Sequence, residues 1–215
     1  MDGHSISRRE FVTRAVTAVG GFAAVQAFME RTGLFEIALQ AAPDLTHDTI
    51  NGLAAFVIPG PDVYSVAQGV STDDPGGIAM GATDAYIHAL TLDFPFFPTL
   101  ADFVAGLLNS VALAVNPGSA TGTFSSPFAN LSFPEKAAVF SVLEGNPQFD
   151  PLRNLISIVP GLLAFIAFSE AGVWDRSQRT LTGTPVAWTL SHFPGPAEGR
   201  DDFRGYYQNR RKADA

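Results

Sequence analysis

The sequence predicts a mostly α-helical domain, a compact irregular bundle of five or six helices with long loops and an extended aromatic C-terminal tail. Three observations carry that fold class. Leu100, Phe103, Val104, Leu107, Leu108, Val111 and Val115 recur at i, i+3, i+4 and i+7, the spacing of a helix with one broad buried face. Ser132-Phe133-Pro134-Glu135 spells a capping box, a serine whose side chain and a glutamate three residues later satisfy each other's backbone donors at a helix start. No stretch alternates apolar and polar residues as a half-buried strand would. Apolar residues make up 47% of the chain and charged ones 16%, which places it among globular rather than disordered sequences.

The chain opens on Ser7-Arg8-Arg9-Glu10-Phe11-Val12, followed by a weakly apolar run over residues 15–28. Paired arginines, then Phe-Val and a mild apolar segment, form the pattern of a bacterial twin-arginine export signal. The run is about 14 residues and contains Gly20 and Gly21, too short for a permanent span of roughly 20. Val25-Gln26-Ala27 and Leu39-Gln40-Ala41 are the nearest small-residue cleavage sequences, so residues 28–39 are either removed or retained as a tether. Residues 1–42 are therefore expected to be signal and tether, and residues 43–215 a single helical domain. About 170 residues suffice for one sizeable core and hardly for two. Export by the twin-arginine pathway puts the protein in the periplasm, the cell envelope or outside the cell, membrane-tethered if the signal stays.

In chain order, Thr46 reads as the N-cap of a helix over 46–58, with Ile50, Leu53, Ala54, Val57 and Ile58 on one face and Pro59-Gly60-Pro61 as its stop. Residues 59–77 are a loop rich in Pro, Gly, Asp and Ser, and a helix follows over 78–90 despite Gly81. Asp93-Phe94-Pro95-Phe96-Phe97-Pro98 holds three phenylalanines in an extended turn, because its prolines forbid a regular element. Thr99 caps the helix Leu100–Val115, which Asn116-Pro117-Gly118 ends. Residues 116–130 read as surface loop, and the capping box opens a helix over 132–144. Residues 151–169 are almost wholly apolar and read as buried, with Pro160-Gly161 breaking them into two helices. Beyond Gly172 the chain turns irregular and aromatic, through Trp174, Trp188, Phe193, Phe203, Tyr206 and Tyr207.

Chemistry-bearing residues are sparse. The chain has no cysteine, which excludes disulfides, a thiol nucleophile, cysteine-type zinc sites and iron–sulfur clusters. Arg8, Arg9, Arg14 and Arg31 balance Asp2, Glu10, Glu30 and Glu36, so the formal net charge of −8 falls entirely on residues 43–215. An acidic domain with no basic stripe is a poor partner for nucleic acid. The four histidines, His4, His47, His88 and His192, lie far apart in sequence, and Asp84 and His88 stand at i, i+4 on one helix. That pair is half a metal site without an H-E-x-x-H context, and a surface link is the simpler reading. Gly118-Ser119-Ala120-Thr121-Gly122 lacks the register of a nucleophile elbow, and no G-x-G-x-x-G or P-loop is present. Asp73-Asp74 and Asp201-Asp202 read as solvated loop charges. The sequence thus shows no catalytic, cofactor-binding or metal-binding set of its own. Its export label is of the kind carried by cargo that folds before transport, such as a flavoprotein loaded with its cofactor.

Several segments, in order, resemble the small third subunit of gluconate 2-dehydrogenase and its relatives. They are Ser7-Arg8-Arg9-x-Phe11; Leu53-Ala54-Ala55-Phe56-Val57-Ile58-Pro59; Gly81-Ala82-Thr83-Asp84-Ala85-Tyr86-Ile87; Leu131-Ser132-Phe133-Pro134-Glu135-Lys136-Ala137; Gly183-Thr184-Pro185-Val186-Ala187-Trp188; and Phe193-Pro194-Gly195-Pro196. The resemblance is discontinuous and spans nearly the whole chain, with departures in the longer N-terminal segment, the 93–98 turn and residues 101–128. It implies a non-catalytic small subunit that assists folding and twin-arginine export of a large FAD-dependent dehydrogenase of the glucose–methanol–choline type. FAD would sit in that partner, the translocase would read Ser7, Arg8, Arg9, Phe11 and Val12, and in some relatives a cytochrome c subunit accepts electrons. The partner's substrate stays open between sugar, alcohol and sterol. Such a subunit needs a large apolar interface, expected at Phe94, Phe96, Phe97, Trp188, Phe193, Phe203, Tyr206 and Tyr207. Two other readings compete: a free-standing exported structural or binding protein, and a stand-alone enzyme built on Asp84, His88 and loop groups.

Overall fold

The computed structural model describes residues 43–92 and 99–193. The export-signal residues Ser7, Arg8, Arg9, Phe11 and Val12, the turn residues Phe94, Phe96 and Phe97, and the tail residues Phe203, Tyr206 and Tyr207 lie outside them. Within the described residues the fold is mostly α, as expected: five helices of 11 to 16 residues, with two single-turn helices and one minimal hairpin.

The first helix, α1 (Pro43–Val57), starts earlier than Thr46 suggests. Pro43 supplies a first-turn residue whose missing N–H costs nothing there, and Asp44 complements the helix dipole. Thr46 is consequently not a cap. Its hydroxyl crosses the bundle and donates to Asp102 Oδ1 at 2.8 Å. The loop after α1 contains a helix that the sequence reading lacks, α2 (Val63–Ala67). Asp62 caps it, Oδ1 accepting from the N–H groups of Tyr64 and Ser65 at 3.0 and 2.9 Å. Helix α3 (Ala82–Leu92) begins later than expected, because Gly81 takes φ +71°, a left-handed value that ends the preceding turn. There the backbone of Gly81 crosses that of Gly172, and a Cβ on Gly81 would lie 2.9 Å from Gly172 Cα.

Helix α4 (Leu100–Val115) has the predicted bounds and cap. Thr99 Oγ1 accepts from Asp102 N–H, while Asp102 Oδ2 accepts from Thr99 N–H and Oγ1–H. Helix α5 (Phe133–Gly145) likewise opens at Ser132, whose N–H and hydroxyl donate to Glu135 Oε2 at 2.8 and 2.7 Å. Those bonds hold the Glu135 carboxyl below its usual range.

Helix α6 (Arg153–Ala167) corrects the expected break: it runs through Pro160 as one helix. An interior proline costs about 3 kcal/mol. Burial of Val159, Leu163 and Ile166 beside and beyond it, at about 1.5–3 kcal/mol per side chain, outweighs that. Tyr86 of α3, fully buried, donates its hydroxyl to Val159 O at 3.3 Å in the same turn. With the preceding 3-10 turn, Pro147–Ala167 is long and apolar enough to cross a membrane by length and composition. Its Leu155, Ile156, Val159, Leu163, Ile166 and Ala167 lie in the core.

The helices pack with α1 central, against α3, α4 and α6; α4 also packs on α5, and α3 and α5 on α6. Where no strand was expected, β1 (Trp174–Asp175) pairs antiparallel with β2 (Thr180–Leu181). Asp175 Oδ1 organises the intervening turn, accepting from Ser177 N–H, Ser177 Oγ–H and Gln178 N–H. The short α7 (Val186–Leu190) closes the described chain.

Candidate functional site

Among the described residues, the most exposed aromatic surface gathers where α6 ends and α7 begins. The buried stripe of α6 runs through Leu155, Ile156, Val159, Leu163 and Ile166, and Phe165 and Phe168 fall off that phase, 58% and 52% exposed. The expectation that residues 151–169 are buried throughout is therefore corrected at both phenylalanines. Trp174 of β1 and Phe193 after α7 are 42% and 48% exposed. A groove of about 570 Å³ is walled by Phe165, Phe168, Trp188 and Phe193, with Ser169, Glu170, Ser191 and His192 as its polar lining. A second groove of about 540 Å³ shares Phe165, Ser169 and Glu170 and adds Trp174, Arg176 and Leu181. Apolar rings beside a few polar groups form the type of surface on which other apolar groups dock.

The geometry at the end of α7 is fixed by its backbone. His192 takes φ +53°, its N–H donates to Thr189 O, and Phe193 N–H donates to Trp188 O at 2.8 Å. These are the two bonds of a Schellman motif, with the accompanying hydrophobic contact made by Phe193 against Trp188. The rings meet edge to face, centroids 5.2 Å apart at 80°. Of the predicted interface residues, Trp188 and Phe193 are thus brought together, and the others fall outside the described chain. Phe165, Phe168 and Trp174 were missed as site residues. The helical phase of α6 carried the signal for the first two.

The Asp84–His88 pairing along α3 is not what the structure shows for Asp84. Its Oδ1 meets His47 Nε2 of α1 at 3.2 Å, both side chains well exposed. His47 Nδ1 lies 3.2 Å from Asn51 Nδ2, which also donates to the Tyr64 hydroxyl, and Tyr64 O–H donates to Asp48. Burial and the bond to Asp48 push the Tyr64 phenol up to about 12. Asp48 Oδ2 takes the Ser125 N–H at 2.6 Å, and Phe124 stacks on Tyr64 at 4.1 Å. The network clips the 121–126 loop and α2 onto α1. Among the described residues no three His, Asp or Glu side chains are placed to hold a metal ion. Ser119, in the 3-10 turn Pro117–Ala120, is buried and donates to Asn116 O, a structural role.

Lys136 is the second feature that the sequence reading passed over. It is 0% exposed, one turn into α5 on the same face as buried Val139 and Leu143. Its Nζ donates to Gln68 Oε1 at 2.9 Å and Gly52 O at 3.2 Å, and lies 5.6 Å from the centroid of the Phe128 ring. Gln68 in turn donates to Ala55 O at 2.8 Å, so amine and amide stitch α1, α2 and α5. Desolvation pulls the Lys136 amine down to about 7, against the opposing pull of the Asp62 charge. Glycine at 52 also lets α1 lie against residue 129: a Cβ there would sit 2.8 Å from Ala129 Cα.

Comparison with known proteins found no matching family model, no matching curated protein and no matching solved structure.

Proposed function

We propose that this chain is the non-catalytic small subunit of an exported oxidoreductase complex, assisting folding and twin-arginine export of a large FAD-dependent dehydrogenase that acts on a sugar, alcohol or sterol. The observation that carries this reading is the aromatic face. Phe165, Phe168, Trp174, Trp188 and Phe193 line adjoining grooves on a domain whose core is already filled by other side chains. Supporting it from the sequence are the Ser7-Arg8-Arg9-x-Phe11 label and the ordered resemblance to the gluconate 2-dehydrogenase third subunit. An obligate partner interface buries about 2,000 Å² or more in total, and large exposed rings at its centre supply most of its energy. The flavin belongs to the partner, and a cytochrome c subunit is its electron acceptor where one is present.

Tagged chain purified from its own host with the partner attached is expected to show flavin absorbance at stoichiometric ratio. A colourless monomer refutes the reading. Replacing Arg8→Lys and Arg9→Lys together is expected to leave both proteins in the cytoplasm, and a partner exported as before refutes it equally.

A further inference from the structure

We propose that the groove walled by Phe165, Phe168, Trp188 and Phe193 is occupied, in the chain itself, by its own C-terminal segment through Phe203, Tyr206 and Tyr207. The segment would hold the groove in the free chain and give it up to a flavoprotein docking on the same face, so the inference stands without that partner.

The first ground is where the described chain ends. Phe193 is both the last described residue and a wall of the groove, held on Trp188 by the Schellman bonds and the edge-to-face contact. Pro194-Gly195-Pro196 comes next, a turn sequence that reverses a chain rather than carrying it away. A segment tethered this closely competes for the groove at an effective concentration on the order of millimolar. Phe203 stands ten residues beyond Phe193, a reach of up to about 33 Å when extended, ample for a return to Phe165 and Phe168.

The second ground is chemistry. Phe203, Tyr206 and Tyr207 stand within five residues of one another, so one short stretch supplies three rings. Phenylalanine and tyrosine rings suit a groove walled by Phe and Trp with Ser169, Glu170, Ser191 and His192 on its floor and rim, since each tyrosine brings a hydroxyl for a polar partner. Charge favours the same pairing. Residues 43–193 hold four Lys or Arg, of which Lys136 is buried, whereas Arg200, Arg204, Arg210, Arg211 and Lys212 cluster in the last 22 residues. Against Glu198, Asp201, Asp202 and Asp214 these leave residues 194–215 with a net charge of +1, opposite in sign to the −9 of residues 43–193.

The test uses reporters the protein already carries. Trp174 and Trp188 are the chain's two tryptophans, and each lines one of the two adjoining grooves. Acrylamide quenching of their fluorescence in the full-length chain is compared with that of the full-length Phe203→Ser/Tyr206→Ser/Tyr207→Ser variant, with helical circular dichroism confirming that both are folded. The variant is expected to quench at least about twofold more strongly, since Trp188, a wall of the groove, is half-buried in the described chain and the segment would cover it further. A synthetic peptide of residues 199–212, added to the variant, is expected to restore protection. Equal quenching of the two proteins overturns the proposal, as does a peptide without effect. Protection in the native chain that fades on dilution overturns it in favour of a second copy, and protection that arises only when a flavoprotein is added overturns it in favour of that partner.

Discussion

Replacing Lys136→Met removes a buried amine while keeping nearly the same side-chain length, and its effect on stability should change with pH. An amine that titrates at 10.5 in the unfolded chain and about 7 in the folded one costs about 5 kcal/mol to bury in its charged form. Below pH 7 both states hold the proton and the whole cost is present. Between about pH 7 and 10.5 the unfolded chain binds the proton and the folded chain does not, so stability climbs with pH, by up to about 1.4 kcal/mol per pH unit. From pH 6 to pH 9 native Lys136 should therefore gain about 3 kcal/mol that a methionine cannot gain. The substitution has its own cost, since Gln68 Oε1 and Gly52 O lose a donor, worth about 1–3 kcal/mol for buried acceptors. The variant should then be more stable than the native chain by about 2–4 kcal/mol at pH 6, with the gap closing to about zero at pH 9. Urea unfolding of both proteins at pH 6, 7, 8 and 9 measures the difference. A difference constant to within about 0.5 kcal/mol across that range would refute the assignment of Lys136 as a buried, largely neutral amine.

Three further outcomes follow from the packing and the caps. Gly52→Ala should destabilise by about 1–3 kcal/mol, because the new methyl meets Ala129 Cα at 2.8 Å and overrides the gain in helix propensity; a higher melting temperature would contradict that close approach. His192→Gly should raise stability by about 1 kcal/mol, since glycine takes the left-handed φ of +53° without steric cost; thermal melting reads it, and a loss would mean the imidazole makes a contact that matters more. Glu135, its carboxyl held low by the Ser132 hydroxyl and N–H, contributes stability that is present above its unfolded pKa and lost as pH falls through its folded one. Glu135→Gln should accordingly flatten the acid limb of the stability profile, and an unchanged acid limb would count against the cap.

What the sequence reveals here is what neighbours along the chain decide. Thr99 with Asp102 and Ser132 with Glu135 announce two helix starts because both partners of each cap lie within one turn. Thr46 has the same chemistry, yet its hydroxyl finds Asp102, 56 residues away, and Asp84 finds His47 across two helices rather than staying with the histidine on its own. Local rules see only the nearest of several acceptors. The proline in α6 misleads for a related reason: its penalty is local and visible, while the burial that outweighs it depends on α1 and α3 arriving from elsewhere. Lys136 and Phe165 make the same point from opposite sides. By residue type the lysine belongs outside and the phenylalanine inside, and both are reversed. The helical phase places each correctly, Lys136 in line with Val139 and Leu143, Phe165 out of line with Leu163 and Ile166. Where phase and residue type disagree, phase decides the position. The disagreement then marks a side chain whose place must be explained by its surroundings: for Lys136 the oxygens of Gly52 and Gln68, and for Phe165 the groove it walls.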